Sequence, residues 1–181
     1  MVTGQFQLER MAGVGDENAS LELDELFRRY APYVAKIGYR LLGREADVDD
    51  LVQDVFLAAH RGLKQLRQPE AVKGWLATVA VRQSRRKLKR RAMMRAIGLG
   101  GDAEYREVAD GSASPEQRAL VAQIYRVLDR EPVDRKIAWT LRYVQGESLE
   151  RVAELSGCSL ATAKRRIRAA QDAIAREVPH G

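Results

Sequence analysis

Between Thr162 and Arg168 the chain reads TAKRRIR, which sets a hydroxyl and four cations, Lys164, Arg165, Arg166 and Arg168, within two helical turns. Side chains of these types do little covalent chemistry; on a rigid support they neutralise phosphates and donate paired hydrogen bonds to base edges. The support is legible around them. Leu160, Ala163, Ile167, Ala170 and Ile174 recur at steps of three and four, so they share one helical face. At about 100° per residue Arg165 falls nearly opposite that face, with Thr162 and Arg168 on either side of it. One side can pack while the other presents cations.

Just upstream, Leu149 to Leu155 is a shorter amphipathic run. Ser156-Gly157-Cys158-Ser159 divides the two, with glycine where a helix needs a left-handed stop. Two helices joined by so short a turn make a helix-turn-helix, and Ala153 is small enough for the close crossing the motif needs. A solvated hairpin with a basic outer face has the same local pattern, so the remaining chain must separate the two readings.

Net charge is +6, unevenly spread. Residues 1–23 carry −3, residues 24–97 carry +9, residues 98–114 carry −3 and residues 115–181 carry +3. Two basic blocks joined by an acidic link suit two surfaces meeting one polyanion. The first block is densest from Arg82 to Arg95, with eight Lys or Arg and no acid. These residues continue a helix predicted from Ala71, whose first half carries the apolar stripe Val72, Trp75, Leu76 and Val79, Trp75 reading as core. Cations held on such a rod point to phosphates.

Within the same block, residues 46–62 form the clearest amphipathic helix: Val48, Leu51, Val52, Val55, Phe56 and Ala59 face inward, Asp47 is placed to cap the start, and Glu45 suits the helix dipole. Its other face holds Asp49, Asp50, Gln53 and Asp54. Dipole preference accounts for acids in the first turn, but less well for Asp54, about two turns in. An acidic face in a basic block suits a protein partner.

The rest of the chain supplies scaffolding. Residues 1–19 show no sustained period and read as a mobile extension. Helix follows from Ser20 to Leu42, with Pro32 expected to break or kink it near Ala31. A loop is expected around Arg67-Gln68-Pro69-Glu70. Residues 98–114 read as a linker, and Gly98, Gly100 and Gly101 lack the strand and lysine of a phosphate loop. Ser114-Pro115-Glu116-Gln117 restarts helix with a capping box, carrying Leu120, Ile124, Val127 and Leu128 on its core face. After Glu131-Pro132, residues 133–145 are helical with Ile137, Leu141 and Val144 inward, closed by Gly146. No strand-like alternation is long enough to count. The expected fold is all-α: two small helical bundles, residues 20–97 and 115–178, joined by a flexible acidic linker, the second containing the helix-turn-helix.

Several function classes are excluded. No apolar run approaches a membrane span and no signal peptide opens the chain, so a cytoplasmic protein without membrane insertion is expected. Cys158 is the single cysteine and reads as a buried thiol beneath the turn. With only His60 and His180, no Cys/His cluster and no paired-carboxylate motif, neither enzyme chemistry nor a metal or cofactor is expected.

Taken together, Asp50-Leu51-Val52-Gln53-Asp54-Val55-Phe56, Gly74-Trp75-Leu76 leading into a basic helix, Leu141-Arg142-Tyr143, Gly146-Glu147-Ser148, Val152-Ala153-Glu154 and Thr162-Ala163-Lys164-Arg165-Arg166 resemble, in order and spacing, bacterial sigma factors of the extracytoplasmic-function (ECF) group. The resemblance runs from about Leu23 to Glu177. It implies that residues 20–97 correspond to sigma region 2 and residues 115–178 to sigma region 4. Asp49, Asp50, Gln53 and Asp54 would dock on the clamp helices of the largest subunit of core RNA polymerase. Arg82, Gln83, Arg85, Arg86, Lys89 and Arg90 would engage the minus-10 element of promoter DNA. Thr162, Lys164, Arg165, Arg166 and Arg168 would meet the minus-35 element. The linker would lie along the polymerase near the RNA path, and an anti-sigma factor is the further partner such proteins often answer to. The chain departs from the family pattern at Arg82-Gln83, at Arg85-Arg86-Lys87, at Arg165 and at Leu128-Asp129-Arg130-Glu131-Pro132, which leaves the fold alone and bears on the promoter sequence. The alternative is a stand-alone helix-turn-helix repressor or activator. Such a protein needs a sensor pocket or dimer face, and it leaves the acids of residues 47–54 without a purpose.

Overall fold

The structure, a computed structural model, describes residues 17–62, 71–99 and 113–178. Among the described residues seven helices follow in order: α1 (Glu17–Leu42), α2 (Glu45–Gly62), α3 (Val72–Ala96), α4 (Pro115–Arg130), α5 (Val133–Trp139, continued by a π-helical turn, Thr140–Val144), α6 (Leu149–Ser156) and α7 (Leu160–Glu177). Among the described residues no strand occurs.

The helices α1 to α3 close around Val34, Ile37, Leu41, Val48, Leu51, Val55, Leu76, Ala80 and Val81, all but removed from solvent. Phe27 meets Phe56 edge-on at 4.8 Å between ring centroids. Gly38 permits the close crossing of α1 and α2: a Cβ there would lie 2.9 Å from Leu51 Cδ2 and 3.2 Å from Val48 Cγ1. Pro32 lies inside a continuous α1, so the break allowed for near Ala31 does not occur. The bond lost to proline is outweighed by burial of α1 on both sides of it, at Leu23 and at Val34, Ile37, Leu41 and Leu42. Because α1 begins at Glu17, residues 17–19 belong to helix, while residues 1–16 lie outside the described residues, as does the loop expected around residues 67–70. Asp47 falls in the first turn of α2 and does not cap it; its carboxylate turns instead to Arg91 of α3.

Local chemistry sets the C-terminal helices as sharply. Gln117 N–H donates to Ser114 Oγ at 3.3 Å and Ser114 N–H to Gln117 Oε1 at 2.8 Å, the reciprocal capping box expected at the start of α4. Ser114→Ala is expected to lower the unfolding free energy by about 1 kcal/mol, read from chemical denaturation. The end of α5 widens, with Gln145 N–H reaching Thr140 O at 3.0 Å, before Gly146 turns the chain at φ +78°. Ser148 Oγ caps α6 and Ser159 Oγ caps α7, accepting from Arg151 N–H at 3.1 Å and Thr162 N–H at 3.2 Å. Between them Gly157 takes the left-handed stop at φ +60°, with Cys158 N–H on Ala153 O at 3.0 Å. Cys158 is half-buried against the core, less enclosed than the thiol expected.

A small cluster of Val127, Leu128, Trp139, Ala170, Ala173, Ile174 and Val178 ties α4, α5 and α7 together. The other apolar residues of this half do not form a core of their own. Ile137, Ala138, Leu141, Val152, Ala153, Leu155, Ala163 and Ile167 join the same buried cluster as α1 to α3. The two helical groups are therefore packed together, with α3 touching helices of both. Polar contacts cross the seam: Tyr125 Oη donates to Arg40 O at 2.7 Å, Arg95 Nη2 to Asp129 O at 3.0 Å, and Arg151 Nη2 to Gly74 O at 3.2 Å. The link between the groups, residues 100–112, lies outside the described residues.

Candidate nucleic-acid interface

The α7 helix is held by Ala163, Ile167, Ala170, Ala173 and Ile174, all buried, and by Trp139 Nε1 donating to Gln171 Oε1 at 2.7 Å. On its outer side Lys164, Arg165 and Arg168 are exposed and Thr162 is half-buried. Thr162, Arg165 and Arg168 occupy the side that the sequence periodicity assigns to them. Arg166 is different: its Nη2 lies 3.2 Å from Asp134 Oδ2, on the flank that faces α5.

Along α3 the eight cations from Arg82 to Arg95 divide by side. Arg82, Arg86, Lys89 and Arg90 are exposed, and the first three fall on one stripe at steps of four and three. Gln83 is half-buried and accepts from Arg86 Nη1 at 3.4 Å. The remaining four are engaged: Arg85 Nε with Asp134 Oδ1 at 2.9 Å, Lys87 with Asp54 at 3.3 Å and Asp50 at 3.6 Å, Arg91 with Asp47, and Arg95 with Asp129. Half of the basic run thus stitches the fold. Of the six cations and amides expected at the minus-10 element, Arg85 is the one withdrawn into an ion pair.

The acidic face of α2 also divides. Lys87 gives Asp54 the intramolecular partner that helix-dipole preference could not supply. Asp49 and Gln53 remain exposed, Asp50 keeps 69% of its side chain accessible, Asp54 keeps 45%, and Leu57 is exposed beside them. A carboxylate-amide face with an apolar member can meet a basic or mixed protein surface, and it repels DNA.

Three residues gain importance that local patterning does not reveal. Asp134 reads in sequence as an ordinary first-turn acid, yet it bridges α3 and α7. Lys136 lies beside the inward stripe of α5 and is only 2% exposed, its Nζ 2.7 Å from Asp129 Oδ1. Burial pulls the Lys136 ammonium down to about 8, with Asp129 pulling the other way. The available signal was the run Ile137-Ala138-Trp139, which marks α5 as covered on more than one side. Burial likewise raises the Tyr125 phenol above its usual range. Among the described residues no group of His, Cys, Asp and Glu is placed to hold a metal ion, and no helix is long and apolar enough to cross a membrane.

Comparison with known proteins agrees with this architecture. Residues 26–93 match the family Sigma-70 region 2. The ECF RNA polymerase sigma factor SigE of Mycolicibacterium smegmatis is 31% identical over 157 residues, covering 84% of this chain and 60% of that protein. The ECF RNA polymerase sigma-E factor of Haemophilus influenzae is 31% identical over 187 residues, covering 98% and 96%. Among solved structures, the sigma factor RpoE of Bartonella quintana, in complex with the anti-sigma factor NepR, has the same fold, with a TM-score of 0.65 over 88% of this chain and 99% of that one at 19% identity. With the Haemophilus influenzae relative 31% identical and matched over 96% of its length, the chain belongs to the extracytoplasmic-function sigma factors, the proteins that direct transcription initiation by RNA polymerase.

Proposed function

We propose that the protein divides this task among three surfaces. The face of α2 formed by Asp49, Asp50, Gln53 and Asp54 docks on the clamp helices of the polymerase largest subunit. Arg82, Gln83, Arg86, Lys89 and Arg90 of α3 meet the minus-10 element, joined by Arg85 once it is released. Thr162, Lys164, Arg165 and Arg168 of α7 enter the major groove at the minus-35 element, with Arg166 on phosphate. The observation that carries this reading over a stand-alone repressor is the α2 face: with α3 engaging Asp47, Asp54 and, more distantly, Asp50, the side chain of Asp50 is still 69% exposed, and Asp49 and Gln53 face outward beside Leu57. A DNA-binding protein acting alone has no use for that face. An anti-sigma factor remains a further partner on this reading, since the solved RpoE structure is a complex with one.

The double variant Asp50→Ala with Gln53→Ala tests the docking assignment. Its affinity for core polymerase is expected to fall on the order of tenfold, measured by fluorescence anisotropy, while its thermal unfolding stays close to the wild type. Unchanged affinity would reject the assignment.

A further inference from the structure

Two cations reach from α3 to the acids of α2, and they are held in different ways. Arg91 has a side chain only 12% exposed, pairs with Asp47 and also donates to Leu42 O at 2.9 Å. It is fastened to the ends of both neighbouring helices. Lys87, one turn earlier, has its Nζ between two carboxylates, 3.3 Å from Asp54 Oδ2 and 3.6 Å from Asp50 Oδ2. Both distances exceed the about 2.7–2.9 Å of a well-made charge-assisted bond. Neither acid is enclosed, with 69% of the Asp50 side chain and 45% of the Asp54 side chain accessible. An open, loosely shared pair of this kind holds weakly and exchanges its partner readily.

The same two acids belong to the face assigned to polymerase. Asp49, Asp50 and Asp54 give that face three carboxylates, and Lys87 returns one positive charge to it. A partner that meets these acids with its own cations competes with Lys87 for the same oxygens. Where the displaced ammonium can go is set by its own helix. Gln83 lies four residues before Lys87 and Arg90 three residues after it, so both are its neighbours on the surface of α3. Both belong to the set assigned to the minus-10 element. Lysine is a point charge on a flexible four-carbon stem, and a swing of that stem carries the charge from the α2 side to the phosphates beside Arg90. Arg91 has no such freedom, because its second bond ties it to the end of α1.

We propose that Lys87 is an internal competitor for the polymerase-docking acids: it occupies Asp50 and Asp54 in the free chain and passes to promoter phosphate when polymerase takes them. This rests on the docking and minus-10 assignments made above. No charge is left unpaired by the exchange, since the acids gain polymerase cations as Lys87 gains a phosphate. Linkage makes it reciprocal: DNA that draws Lys87 away uncovers the acids for polymerase by the same factor by which polymerase frees Lys87 for DNA. The residue thereby weakens docking on polymerase alone and favours docking on polymerase together with a promoter.

The test uses Lys87→Gln and Lys87→Met in the full chain, the second keeping the volume of the stem. Fluorescence anisotropy with core polymerase at low ionic strength is expected to show both binding on the order of fivefold more tightly than the wild type. The gain should shrink as salt is raised. A gain in affinity is a result that loss of folding cannot imitate, and thermal unfolding of each variant confirms that the fold is kept. Once bound to polymerase, both variants should titrate off a promoter fragment with a log-affinity against log-salt slope smaller by about one. Lys87→Arg, which keeps the charge, should stay close to the wild type in both measurements. Affinity for polymerase that is unchanged or lower in both neutral variants, or a salt slope that does not move, would overturn the competitor role. These outcomes are separable from failure of the docking assignment. If Asp50→Ala with Gln53→Ala leaves polymerase affinity untouched, that assignment falls, whereas a loss there without a gain in Lys87→Gln and Lys87→Met condemns the competitor alone.

Discussion

Asp129→Ala is expected to lower the free energy of unfolding by about 3–5 kcal/mol, because it leaves the Lys136 ammonium buried without its carboxylate. The pair is 2.7 Å apart, Lys136 is 2% exposed, and the same aspartate receives Arg95 across the seam between the helical groups. Lys136→Met, which removes the charge and keeps the volume, should cost far less, within about 1 kcal/mol of the wild type or slightly above it. Denaturant titration at pH 7 separates the two. A pH series adds an independent check. The folded-state Lys136 sits near 8 against an ordinary 10.5, so above pH 8 the unfolded chain retains a proton that the folded chain has released. Stability contributed by this group therefore rises as pH increases, by about 2–3 kcal/mol between pH 8 and 10. Tyr125 works in the opposite sense above pH 10, since its raised folded-state value makes stability fall once the unfolded phenol ionises. In Lys136→Met the rise between pH 8 and 10 should vanish.

The second large effect concerns α7. Lys164, Arg165 and Arg168 are exposed on a helix whose opposite face is buried, so their truncation removes little packing and, on the proposed reading, removes contacts with DNA. Arg165→Ala should cost about 1–3 kcal/mol at a specific upstream element if the guanidinium reads a base, and only a uniform, salt-dependent loss if it rests on phosphate. Combined with Lys164→Ala and Arg168→Ala, the loss of initiation from promoters with an intact upstream element should reach 100-fold or more, taking each contact at about 1–3 kcal/mol. The measurement is initiation by the reconstituted polymerase on matched promoters. Equal output from promoters with scrambled upstream elements would deny α7 a reading role.

Most of the fold was legible because its signals are local. Ser114 and Gln117, Gly157, and the apolar stripes of α2 and α7 act within a few residues of themselves, and each forms the structure its spacing implies. Of the break or kink expected at Pro32, the break does not occur, because proline's cost is local while the burial that overrides it is tertiary. The candidate surfaces were legible as sets but not in their division of labour. Nothing near Arg85 distinguishes it from Arg86; what separates them is Asp134, nearly fifty positions away, and the helical phase that turns one side chain to the seam and the other to solvent. Docking of the second helical group onto α3 was invisible for the same reason. The inward residues of α5 and α6 satisfy a pattern that any core would fill, so periodicity could not say whose core it was.

The most direct test is run-off transcription with purified core RNA polymerase, this protein, and a library of upstream DNA. Promoter-specific transcripts should appear only when both are present, require two sequence elements spaced as minus-35 and minus-10 elements are, and diminish with Asp50→Ala and Gln53→Ala. Equally tight, equally specific DNA binding without polymerase, with no transcript on adding it, would contradict a polymerase-dependent initiation factor and return the chain to the repressor reading.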